Sequence, residues 1–265
     1  MIVDTMSLDE ALHILKEDLP LCNTHIKYTQ DEFARKTRKF KNRERIWHNP
    51  REFKSKNGFN YVIQFFSDPI TFPKETRLKC FYYCWFVLKN KIYIFLPVIT
   101  NRSYGHIFLY KSHFIERYNE RHLKEPTFSK LKVFREFLLH NLKCPKFASH
   151  TDEHPEGFIQ ITNDGLAFGD IVYNQELNCQ VSVMNTFVSW EMIGPDQRQI
   201  AMEAKMVFNE LGYDLAVPEE AFPPLFDNEK NAKFIKTSRI ADSIECLKQF
   251  GFDDKTAPAR FNGLL

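Results

Sequence analysis

The sequence predicts an α+β fold: an antiparallel sheet with helices packed on it, and helical extensions at the N- and C-terminal ends. Three observations carry this. The 265 residues include 26 Phe and 10 Tyr, a composition suited to half-buried strands and an aromatic core. From Gly58 onward, nearly continuous aromatic and β-branched runs alternate with short turn signals. Helix-start signatures lie before, between and after these runs. At 43% hydrophobic the chain can bury a sizeable core, which argues against disorder. The expected organisation is a basic helical segment over residues 1–56, an α+β core domain over 57–193, and a helical segment over 194–265 packed on that core.

The N-terminal segment reads as two helices. Ser7 and Glu10 form a capping-box pattern, and Leu8, Ala11, Leu12, Leu15 and Leu19 give an amphipathic helix that stops before Pro20. Thr29 and Glu32 repeat the signature and open a second helix toward Trp47, ended by Asn49-Pro50. This second helix is basic. Asp31 to Lys56 holds ten Lys or Arg against four Asp or Glu, a local +6, so with +2 overall the remainder sums to −4. Arg35, Arg38, Lys39, Arg43 and Arg45, with aromatics interleaved, suit phosphate backbones and stacked bases; the alternative is a solvated helix that docks on the acidic C-terminal region of the chain.

Phe59 to Phe66 is the first expected strand, and Lys79 to Leu88 with Lys91 to Ile99 form a hairpin across Lys89-Asn90-Lys91. Pro97 marks an edge or a bulge. Cys80 and Cys84 fall on one strand face as core residues. The six scattered cysteines need no disulfide framework, the N-terminus carries acidic residues where a signal peptide is apolar, and no long apolar run occurs. Reduced thiols, a cytoplasmic location and no membrane partner are expected.

A strand over Tyr104 to Tyr110 leads into YKSHFIERYNERHL, the stretch best suited to chemistry. Read as a helix capped by Ser112, it lines up His113, Arg117 and Arg121 at four-residue spacing on one face. Two like charges at this spacing call for a compensating partner, either a carboxylate or a bound anion. Arg117 with Glu120, and Glu120 with Lys124, are helix-compatible ion pairs, so an ordinary salt-laced solvated face is the competing account. Ser129 to Leu142 is the next helix; its Arg135 and His140 resemble the Arg-x4-His motif of the HEPN ribonucleases, a spacing that Arg117 and His122 repeat, but the all-helical fold of that group does not fit these strand-rich surroundings. Cys144, His150 and His154 lack the paired spacing of a structural zinc site and read as a polar loop.

Strands follow at Gly157–Ile161, Leu166–Tyr173 and Gln180–Val188, with Asn163-Asp164-Gly165 and Asn174 to Asn178 as turns. Beyond them a helix from Gly194 to Leu211, a proline-rich connection and a last helix over Ser238 to Phe250 are expected. There is no P-loop or dinucleotide fingerprint.

A helix with His and Arg, a further helix, and a meander ending in hydroxyl residues together resemble the RelE-like branch of the barnase, EndoU, colicin and RelE ribonuclease fold. The residues that carry the likeness are HFIERYNER at His113 to Arg121 and TFVS at Thr186 to Ser189; it spans about residues 100–190. The resemblance implies a toxin-like endoribonuclease that needs no metal and no cofactor, with RNA as substrate and an inhibitor protein as candidate partner. It implies His113 as base or acid, Arg117 and Arg121 as a phosphate clamp, and Glu120 and Thr186 as assisting groups in one open cleft. The alternative function is a noncatalytic nucleic-acid-binding or regulatory module that uses the basic helix at 30–47. Neither reading fixes an oligomeric state.

Overall fold

Helix α1 (Leu8–Thr37) begins at the expected capping box: Ser7 N–H donates to Glu10 Oε2 at 2.6 Å and Glu10 N–H to Ser7 Oγ at 3.2 Å. A computed structural model of the chain describes residues 3, 5–37, 46–67, 78–100, 103–141, 146–147, 157–175 and 177–194. The fold is α+β.

The chain forms two compact units, one built from the described residues up to Ser112 with Val172–Val183, the other from His113–Ile171 and the described residues after Met184. In the first unit, α1 is one helix where two were expected. Pro20 lies inside it, and the hydroxyl of Thr29 donates to the His25 carbonyl within the helix and does not cap a new one. The reason is packing: Ala11, Leu12, Leu15, Leu19 and Cys22 are buried on both sides of Pro20. Their joint burial outweighs the loss of one backbone hydrogen bond and the steric cost of the ring, about 3 kcal/mol.

Strands β1 (Ile46–Trp47) and β2 (Arg51–Lys54) replace the expected helix end at Trp47, and both pair with β3 (Asn60–Ser67). The sheet therefore starts before residue 57, and residues 1–56 are not wholly helical. β4 (Leu78–Leu88) and β5 (Lys91–Thr100) form the expected hairpin. Lys89 and Asn90 take the positive φ values, 51° and 60°, that a tight two-residue turn requires. The pairing of β5 with β6 (Ser103–Lys111) shifts register between Val98 and Ile99, the irregularity foreseen at Pro97. Phe59, Phe86 and Phe95 meet in the core of this unit at centroid separations of 5.3–6.3 Å.

The second unit holds α2 (Ser112–Tyr118, from His113 on), a π-helical turn (Asn119–Leu123) and α3 (Lys130–Asn141). It also holds β7 (Lys146–Phe147), β8 (Gly157–Ile161) and parts of β9 (Gly165–Asn174) and β10 (Cys179–Ser189), closed by a 3₁₀ turn at Trp190–Met192. The order is β10-β9-β8-β7 here, and β1-β3-β4-β5-β6-β10 in the first unit. The pairs within β1–β6 and within β7–β9 are antiparallel, as expected, but the sheet is mixed. β6 and β10 are neighbours without being consecutive, and the chain between them carries α2 and α3, a crossover long enough for a parallel pair.

Phe114, Tyr118, Phe137 and Phe187 are buried together in edge-on contacts, with Phe134 stacked on Phe137, and explain why α2 and α3 pack where they do. The helices expected after Gly194, and the loop with Cys144, His150 and His154, lie outside the described residues. Among the described residues no helix is long and apolar enough to cross a membrane.

Candidate active site

Helix α2 is set by its apolar residues: Phe114, Ile115 and Tyr118 are buried, while His113 and Glu116 face solvent. Ser112 does not cap it. Its buried Oγ accepts from Ile92 N–H at 2.8 Å and donates to the Ile92 carbonyl at 3.0 Å, tying Ser112 to β5. At Asn119 the helix widens. Lys124 N–H donates to the Asn119 carbonyl five residues back, 2.7 Å away, with Lys124 left-handed at φ 57°. The Asn119 side chain then bonds Glu125 through both its amide groups and ends the element.

The expected row of His113, Arg117 and Arg121 is split among separate partners. Arg117 pairs with Glu120 at 2.7 Å, as the solvated-face account foresees, and Lys124 reaches Glu191 instead of Glu120. Arg121 donates to the Phe187 carbonyl on β10. His113 is exposed, with no hydrogen bond or ion pair among the described residues. Thr186 does not join them. Phe187 is buried against Phe114 and Tyr118 of α2, and strand side chains alternate, so Thr186 lies on the face of β10 away from that contact. Among the contacts of the described residues none joins His113 or Arg117 to Thr186.

A different cluster assembles nearby in the same unit, around Asp164. The turn that carries it is fixed from several sides. Thr162 N–H and Oγ1–H both donate to the Gly165 carbonyl, Asp164 N–H donates to Thr162 Oγ1, and Trp190 Nε1–H donates to the Asn163 carbonyl at 2.8 Å. Gly165, at φ 153°, has no room for a side chain: a Cβ there would sit 2.1 Å from the Val188 carbonyl oxygen. Asn141, the last residue of α3, accepts from Asn163 N–H and donates to Asp164 Oδ2 at 2.8 Å.

Tyr118 Oη–H donates to the same Oδ2 at 2.6 Å. Burial, then the hydrogen bond to Asp164 and its negative charge, hold the phenol protonated far above its ordinary range. The other side of the carboxyl group meets two imidazoles. His122 Nε2 is 3.3 Å from Asp164 Oδ1, and His140 Nδ1 is 3.5 Å from Oδ2. His122 stacks on Tyr118 at 5.3 Å, and the His122 and His140 rings stand edge-on with centroids 6.2 Å apart. Exposure runs in order of role: the Asp164 side chain is 11% exposed, His122 31% and His140 44%. A nearly buried, doubly anchored carboxylate thus carries two solvent-reachable imidazoles. Such a group can orient proton-transfer residues, and the same His, His and Asp atoms, all within 4.8 Å of one another, could hold a metal ion.

The sequence reading passes over Tyr118 and uses Asp164 only as a turn residue. Tyr118 and His122 are four apart on one helix, and His122 and His140 each close an Arg-x4-His spacing, but nothing in the sequence ties these residues to a hairpin turn some forty residues from Tyr118. Of the nucleic-acid candidates only Arg35 is described; it is exposed at the end of α1, its Nε donating to the Asp31 carbonyl. Arg38, Lys39, Arg43 and Arg45 lie outside the described residues. No family model matches the chain, and no curated protein and no solved structure matches it either.

Proposed function

We propose that the protein cleaves RNA without a metal, by attack of a ribose 2′-hydroxyl on the adjacent phosphate, with the reaction centre at His122 and His140. The observation that carries this is the pair of half-exposed imidazoles held by one anchored carboxylate. A proton on the nitrogen that faces Asp164 leaves Nδ1 of His122 and Nε2 of His140 for the substrate. One imidazole takes the 2′ proton as the O2′–P bond forms; the other gives a proton to the 5′ oxygen as the P–O5′ bond breaks, leaving a 2′,3′-cyclic phosphate. Arg121 uses one of its N–H groups on the Phe187 carbonyl and has others to offer a phosphate. The +6 balance of Asp31 to Lys56 supports a polyanionic substrate, and the free thiols of Cys22, Cys80, Cys84 and Cys179 suit the cytoplasm.

This reading keeps the reaction implied by the RelE-like resemblance and moves the centre from His113 to His122 and His140. The test is incubation of the purified protein with RNA in EDTA, with the new ends analysed. Cyclic phosphate ends that disappear in Asp164→Asn support the reading. Absence of cleavage at any protein concentration refutes it, and salt-sensitive RNA binding without cleavage would favour the noncatalytic module.

A further inference from the structure

We infer that His122, His140 and Asp164 form a binding site for a divalent first-row transition ion, zinc foremost. Two imidazoles and one carboxylate are a ligand set that zinc takes in three-ligand sites, where a fourth position stays open to water. The spacing fits. Bonds of about 2.0–2.1 Å at tetrahedral angles put neighbouring ligand atoms roughly 3.4 Å apart. His122 Nε2 lies 3.3 Å from Asp164 Oδ1, His140 Nδ1 lies 3.5 Å from Oδ2, and the donor atoms of all three residues fall within 4.8 Å of one another.

The carboxylate is also built as a ligand rather than as a lone turn residue. Its Oδ2 accepts from Tyr118 Oη–H and from Asn141 Nδ2–H, which fixes the plane of the group and leaves Oδ1 turned to His122. Outer partners of this kind orient metal ligands and raise affinity. Tyr118 reaches Asp164 through its hydroxyl, which donates to Oδ2, so it acts on the carboxylate as an outer partner. The donors come from three places in the chain, the π-helical turn, the end of α3 and the β8–β9 turn, each fastened by its own hydrogen bonds. With side-chain exposures of 31% and 44%, the imidazoles leave a path for the ion and a position for water.

The inference stands apart from the RNA reading and has a consequence for it. Coordination through His122 Nε2 and His140 Nδ1 displaces the protons that face Asp164 and moves them to the opposite nitrogens. Those nitrogens then cannot accept a proton from a substrate. A bound ion therefore opposes metal-independent cleavage at this centre.

The probe is the metal alone, with no RNA present. Purified full-length protein stripped with a chelator is titrated with Zn²⁺ by calorimetry and with Co²⁺ by visible absorption. One site is expected whose cobalt bands report mixed nitrogen and oxygen ligation and are displaced by zinc. His122→Ala and His140→Ala are each expected to weaken zinc by more than the roughly 10–100-fold typical of losing an outer partner. Tyr118→Phe should fall within that range, and His113→Ala should bind as the parent does. A measurement on the unsubstituted protein guards against misfolded variants: nitrogen-15 imidazole spectra should show two histidines shifting together with the first equivalent of zinc. Failure to bind zinc, stoichiometric binding that survives both histidine substitutions, or a first equivalent that shifts no histidine pair would each overturn the inference. RNA cleavage in EDTA does not bear on any of these outcomes.

Discussion

Asp18 in the first unit and Asp164 in the second are nearly the same device put to different ends. Each carboxyl group accepts one tyrosine hydroxyl and one asparagine amide: Tyr61 at 3.2 Å and Asn57 at 2.8 Å for Asp18, Tyr118 at 2.6 Å and Asn141 at 2.8 Å for Asp164. Asp18 is 2% exposed and lies near the thiols of Cys22 and Cys84, which burial holds protonated, Cys22 up to about 12. No imidazole reaches it among the contacts described. Asp164 keeps an open side, and two imidazoles occupy it. A hydrogen-bonded buried carboxyl is by itself a structural feature. What sets Asp164 apart is access together with neighbours that can exchange protons or bind an ion.

The largest expected break in this comparison is Asp164→Asn. Removing the orienting charge should cut RNA cleavage by about 10²-fold or more, in line with loss of positioned acid–base catalysis, while urea unfolding changes little. Gly165→Ala attacks the same site through the backbone. Its Cβ has to displace the Val188 carbonyl, so a stability loss on the order of 3 kcal/mol is expected, with cleavage falling in parallel, measured by urea unfolding and initial rates. Asp18→Ala is the converse case. It removes the carboxylate to which the Tyr61 hydroxyl and the Asn57 amide donate in a buried place, and should cost about 2 kcal/mol by urea unfolding while cleavage per folded molecule is unchanged.

The smallest effect belongs to an exposed carboxylate with local partners only. Ser7 N–H, then its hydroxyl, hold Glu10 below the usual carboxylate range. A lowered folded-state value contributes stability above the unfolded value, lost as pH falls through the folded one. Thermal unfolding of the parent should therefore show a slight loss as pH drops below about 4.3, and Glu10→Gln should remove that increment.

Much of the fold is legible in the sequence because it rests on local patterns. The Ser7 and Glu10 capping box, the turn at Lys89-Asn90 and the nearly continuous aromatic and β-branched runs of β3 to β6 each carry their signal within a few residues. Pro20 shows the limit. Its local effect is to break a helix, and only the burial of Leu15, Leu19 and Cys22 around it explains why α1 continues. The site fails to be legible for the same reason. His113, Arg117 and Arg121 are four apart in sequence, but Arg117 turns to Glu120 and Arg121 to β10. His122 and His140 share no more than an Arg-x4-His spacing in sequence, and they meet Asp164 through the packing of Phe114, Phe137 and Phe187 and the hydrogen bonds of Asn141.

The most direct test is one set of RNA cleavage rates in EDTA, for the parent, His122→Ala, His140→Ala and His113→Ala. The Asp164-centred account predicts that the first two substitutions each remove about 10²-fold or more of the rate and that His113→Ala cleaves as the parent does. Loss of activity in His113→Ala with His122→Ala and His140→Ala intact would contradict it.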